Sequence, residues 1–179
     1  MFVLTLSCLT VILCKDVLVL LLGEAYKDGA IYVPILAVDS IVFMISEIMG
    51  TGINLAKKSY LNIITSIIYF MSSIISAYLL IKYFGVSFAA TSRLIGSIAY
   101  LLARTYYSNK YFRIEYNYNK ICFLLVLVII YAYINTFLQN GVLYIILYIV
   151  FVSISCFVYK KELLSIINSV IDYIKRLKM

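Results

Sequence analysis

Six long apolar runs separated by short polar gaps dominate this sequence, and they restrict what it can fold into more than any other feature. They cover residues 1–22, 30–53, 60–81, 86–106, 120–138 and 142–159. A helix that crosses a bilayer needs about twenty mostly apolar residues. In hydrocarbon, every backbone N–H and C=O must be bonded within its own segment, so helix is the default for such runs. The sequence therefore predicts an all-α fold: a bundle of six transmembrane helices over 1–159, followed by an amphipathic tail helix over 160–179. Composition agrees. The chain is 65% hydrophobic and 13% charged, whereas a soluble domain is nearer half apolar and a quarter charged.

The charges between the runs supply a topology. Lys57 and Lys58 fill one gap, Lys110 and Arg113 another, and Lys160, Lys161, Lys175, Arg176 and Lys178 the tail, with Arg104 and Lys120 at helix ends. The intervening gaps hold only Lys27 and Lys82. Eleven of fifteen basic residues thus fall on alternate gaps. The positive-inside rule places those gaps, and both termini, in the cytoplasm. In the tail, Leu163, Ile166, Ile167, Val170, Ile174 and Leu177 share one helical face, as in a helix lying in the membrane interface. The net charge of +7 reads as a topology signal. No basic surface outside the membrane is left for a nucleic acid.

Several chemistries are excluded early. The chain has no His, which removes most zinc sites and all His-based relays. Cys8, Cys14, Cys122 and Cys156 lie in apolar runs without a CxxC pair, so they read as small apolar side chains. The residues that could carry function are the polar groups at membrane depth, which are costly there and face protein or water. Asp39 and Glu47 share a broad face of the second span, about 80° apart, and are expected either to pair with Arg93 or to take part in ion coupling. On the fourth span Ala89, Arg93, Ser97, Tyr100 and Arg104 form one stripe. Arg93 and Arg104 project the same way, roughly 16 Å apart along the axis. Such a stripe suits an anionic ligand such as a phosphate. The plainer reading pairs Arg93 with a buried carboxylate and lets Arg104 snorkel. On the third span Asn62, Ser66, Tyr69, Ser73 and Ser76 form a polar stripe that suits either a wet cavity wall or a tight helix contact. The small-xxx-small pairs Gly85/Ala89 and Ser92/Gly96 read as packing. Lys15-Asp16 interrupts the first span as an adjacent ion pair.

Three stretches in order carry a resemblance. Gly23-Glu24-Ala25-Tyr26 with Ala30 and Pro34-Ile35-Leu36-Ala37 comes first. Gly52-Ile53-Asn54-Leu55-Ala56-Lys57-Lys58 follows, and then Tyr83-Phe84-Gly85-Val86-Ser87-Phe88-Ala89-Ala90. Over about residues 1–120 the chain resembles the C-terminal part of lipid-linked oligosaccharide flippases, the O-antigen-type polysaccharide exporters of the multidrug/oligosaccharidyl-lipid/polysaccharide exporter superfamily. The family's Pro before the last turn is absent, and Phe88 stands where a second Gly is usual. The resemblance implies a two-lobed transporter of twelve to fourteen helices, of which this chain would be one portion, with the missing N-terminal half as partner. It implies alternating access and a polyprenyl-diphosphate-linked oligosaccharide as cargo in the cytoplasmic membrane, with no cofactor and no catalytic residue. Arg93, Arg104, Asn62, Ser66, Tyr69 and Ser73 are then the expected substrate contacts. Two alternatives remain open at this stage: a membrane-embedded glycan polymerase or acyltransferase, and an accessory membrane subunit without transport activity of its own.

Overall fold

A computed structural model describes residues 27–112, 117–137 and 148–154, with a few single positions beside them. All regular structure among the described residues is helical. The helices are α1 (Lys27–Ala30), α2 (Val33–Met49), α3 (Thr51–Leu55), α4 (Tyr60–Phe84), α5 (Ala89–Tyr111) and α6 (Tyr118–Phe137), with a 3-10 turn over Val86–Phe88 before α5. Among the described residues, four helical segments are long and apolar enough to cross a membrane: Val33–Leu55, Tyr60–Phe84, Val86–Tyr111 and Tyr118–Thr136. They correspond to the second to fifth predicted spans. The first predicted span, with Lys15-Asp16, and the tail helix lie outside the described residues. So do Cys8, Cys14 and Cys156. Of the sixth span, residues 148–154 are described and are helical.

The local signals for each helix are visible in its sequence. Pro34 stands in the first turn of α2, where a missing N–H costs nothing. Gly50 separates α2 from α3 within one apolar span. α3 closes with Lys57 N–H on the Asn54 carbonyl and Lys58 N–H on the Ile53 carbonyl, the pair of bonds of a Schellman motif. Gly85 ends α4 at φ +86, ψ 177, a conformation open essentially to glycine alone. An added Cβ at Gly85 would meet nothing within 4 Å. Its role is therefore the reversal between α4 and α5, not the helix packing that its spacing from Ala89 suggests.

α5 is the hub, packed against α2, α3 and α4, while α6 lies against α2. Ile35, Val38, Val42 and Ile45 of α2 meet Ala90 and Leu94 of α5 and Val128, Tyr131 and Ala132 of α6 in one buried cluster. α4 buries only Leu61 and Thr65. Ile63, Ile67, Phe70, Ile74 and Tyr78 line its outer surface, as a lipid-facing helix requires. Because lipid is as apolar as these side chains, close packing and polar contacts between helices decide how they associate. Gly96 of α5 lets α4 approach closely: a Cβ there would overlap the Ser73 hydroxyl. Ser76 adds a bond from its hydroxyl to the Ser92 carbonyl at 3.1 Å.

Candidate functional site

The seam between α2 and α5 gathers the four ionisable groups singled out at membrane depth. Asp39 accepts from Arg93 Nε at 3.2 Å and from the Ser97 hydroxyl. Two turns along, Glu47 accepts from Arg104 Nη1 at 2.5 Å and from the Tyr100 hydroxyl at 2.8 Å. Arg104 Nη1 also donates to the Tyr100 oxygen. Both residue numbers increase from the first rung to the second, so α2 and α5 run parallel. That is the arrangement expected of two spans separated by one between them. The rungs are eight residues apart on α2 and eleven on α5, about 12 and 16 Å of rise. The long arginine side chains take up the difference.

The two rungs are opposite in exposure. In the first, the Asp39 side chain is 3% exposed and that of Arg93 is 61%. In the second, Arg104 is 4% exposed and Glu47 is 47%. Asp39 is thus a buried charge held by a partly free partner. Arg93 spends its Nε on Asp39 and has no further partner among the described residues, which leaves its terminal nitrogens available. Arg93 itself lines an open groove of about 540 Å³, together with Gly29, Tyr32, Leu36, Val86, Ser87 and Ala90. A guanidinium fork over an apolar groove can bind a phosphate oxygen pair while the remainder of an amphipathic ligand lies against hydrocarbon.

Arg104 is enclosed instead. Its guanidinium lies 5.1 Å from the centre of the Tyr100 ring and packs directly on Gly50, where a Cβ would fall within it. Four residues on, Ser108 packs in the same way on Gly52. Arg104 does not snorkel, and in this conformation it is out of a ligand's reach. Tyr100 also stacks on Phe43 at 5.2 Å and 13°, and both rings contact Tyr69 of α4. Three aromatic rings therefore wall the Glu47 rung where α2, α4 and α5 meet.

The polar stripe of α4 is divided between two roles. Asn62, Ser66 and Tyr69 line an open groove of about 600 Å³ with Ile63, Ile67 and Phe70, although Asn62 already donates its amide to Asn54 at 2.9 Å. Ser73 and Ser76 face α5 and serve as helix contacts. Tyr100, Ser97, Gly50 and Phe43 belong to the site but are absent from the residues expected to touch ligand. Tyr100 and Ser97 were visible as members of the α5 stripe. Gly50 and Phe43 had no signal of their own. Among the described residues no group of three metal-ligating side chains converges, and Cys122 is exposed and free. No family model, curated protein or solved structure matches the chain.

Proposed function

We propose that the chain is part of a membrane flippase that moves a polyprenyl-diphosphate-linked oligosaccharide across the cytoplasmic membrane, with both termini on the cytoplasmic side. The observation that carries this reading is Arg93. It is a cation on a membrane-spanning helix, anchored through one nitrogen to a buried carboxylate, and it lines a largely apolar groove. A diphosphate on a hydrocarbon chain is complementary to both halves of that site. The ordered resemblance of three sequence stretches to the flippases supports the same cargo. Asn62, Ser66 and Tyr69 are the proposed contacts to the glycan, and Asp39 and Glu47 are primarily pairing residues that hold the arginines.

The test is translocation of a fluorescent polyprenyl-diphosphate oligosaccharide in vesicles that contain the complete transporter. Arg93→Ala alone would strand the buried Asp39 charge, a loss of about 3–5 kcal/mol. The informative variant is therefore the neutral pair Asp39→Asn with Arg93→Gln, which keeps a hydrogen bond and removes the cation. The expected result is a rate at least about tenfold lower, the equivalent of ~1.4 kcal/mol in transition-state binding. A normal rate in the folded double variant refutes the role of Arg93.

A further inference from the structure

The end of the bundle where α3 ends, α4 begins and α5 ends carries a concentration of positive charge whose local arrangement goes beyond the topology signal and is not used by the transport reading. Lys57 and Lys58 form the turn after α3. Lys58 Nζ sits 3.6 Å from the centre of the Tyr111 ring, and Lys110 Nζ sits 5.7 Å from the same ring. The Tyr60 side chain reaches that of Tyr111. Two ammonium groups are thus gathered about one aromatic ring, at most about one Debye length apart at 0.1 M salt, roughly 10 Å. The described side-chain carboxylates, Asp39 and Glu47, are both committed to arginines. None is left to neutralise these lysines among the described residues.

Lys57 adds an independent observation. It occupies the left-handed position of the Schellman motif, φ 55, where glycine is favoured because a side chain is strained there. A turn that needed only to end α3 would be better made by glycine. Lysine at that position adds a third cation, in the same turn as Lys58.

We propose that this cluster binds the phosphate of an anionic phospholipid in the adjacent leaflet. A phosphate held by two charge-assisted hydrogen bonds of about 2.8 Å can join nitrogens up to roughly 8 Å apart, a separation within the range that the common ring allows for Lys58 and Lys110. The tyrosines around the cluster suit the headgroup depth, where amphipathic rings collect. The apolar face of α4 beginning at Tyr60 offers a surface for the acyl chains. The site is independent of Arg93 and of the transport reading.

The test is binding of a fluorescent phosphatidylglycerol to the detergent-purified full chain, competed with unlabelled phosphatidylglycerol, phosphatidylcholine or inorganic phosphate. Phosphatidylglycerol should compete, and the other two should fail at equal concentration. Lys58→Gln and Lys110→Gln should each weaken binding about fivefold, and together about thirtyfold. Lys57→Gly keeps the turn and relieves its strain, so it should weaken binding while leaving the thermal midpoint equal or higher. Lys82→Gln removes the same charge at the opposite end of α4 and should change nothing. Equal loss from Lys82→Gln would overturn the site, as would equal competition by phosphatidylcholine. Full competition by inorganic phosphate would replace the lipid with a free anion and overturn it too.

Discussion

Replacing Gly50 with alanine sets two effects of opposite sign against each other. Gly50 lies between α2 and α3 at a negative φ that alanine also adopts, so by restricting the unfolded chain alone alanine should stabilise by about 0.4–1 kcal/mol. Its Cβ, however, would fall inside the Arg104 guanidinium. That side chain is 4% exposed and is held by Glu47 and Tyr100, so moving it aside disturbs those bonds. Forcing an extra methyl into packed surroundings costs about 1–3 kcal/mol. Displacing Arg104 also weakens its hydrogen bond to a carboxylate, worth about 1.5–3 kcal/mol; the lower end applies because Glu47 is 47% exposed. The net expectation is destabilisation by about 2–3 kcal/mol, or a thermal midpoint roughly 5–10 °C lower for a chain of this size.

Thermal unfolding of the detergent-purified chain, followed by the loss of its monodisperse peak, reads this directly. The same substitution in an Arg104→Ala background separates the two effects. With the guanidinium gone, the clash disappears and only the backbone effect remains, so alanine at position 50 should then stabilise by up to about 1 kcal/mol. A reversal of sign between the two backgrounds is the required outcome. If Gly50→Ala is as stable as the wild type, or equally harmful in both backgrounds, the packing of Arg104 on the α2–α3 break is wrong.

Two other glycines give contrasting expectations. Gly96→Val should part α4 from α5 and lower stability by about 1–3 kcal/mol, with partial recovery on adding Ser73→Gly, because the added side chain overlaps the Ser73 hydroxyl. Gly85→Ala meets no neighbour, yet at φ +86 and ψ 177 it should cost about 1–3 kcal/mol through backbone strain alone. No second-site truncation should rescue it; rescue by one would show a steric rather than a conformational cause.

The second to fifth spans were legible in the sequence because hydropathy over a twenty-residue run reports on the solvent around a helix, not on its partners. Their ends were less so. α5 continues to Tyr111, past the expected end at 106, because Tyr106, Tyr107 and Asn109 remain compatible with helix after the apolar run stops. Asn109 then bonds Tyr118 of α6 at 2.7 Å. The common direction of Arg93 and Arg104 followed from angular arithmetic on one helix. Their separate carboxylate partners did not, because that arithmetic says nothing of how α2 is rotated towards α5. The α4 stripe shows the same boundary. Serine every three or four residues fits a wet wall and a close helix contact equally well. Only the position of Gly96 assigns Ser73 to the contact and leaves Ser66 outside it. Gly50 was least legible, because its importance arises entirely from a side chain on another helix.

The two rungs together give the α2–α5 seam a polarity that neither has alone. Apolar packing in lipid tolerates many helix registers, but sliding α5 by one turn, about 5.4 Å, would separate both ion pairs at once. Each pair has one member almost out of contact with solvent, and breaking such a pair costs several kcal/mol. Register is therefore fixed by the buried members, Asp39 at one rung and Arg104 at the other. The exposed members are Arg93 and Glu47, of opposite sign and two turns apart on the seam. The bundle can thus present a cation over the groove at one end and a carboxylate beside the aromatic cluster at the other without carrying net charge between α2 and α5. Because Asp39 depends on Arg93 Nε, removing that one guanidinium would leave a buried charge uncompensated and loosen the α2–α5 register at the same time.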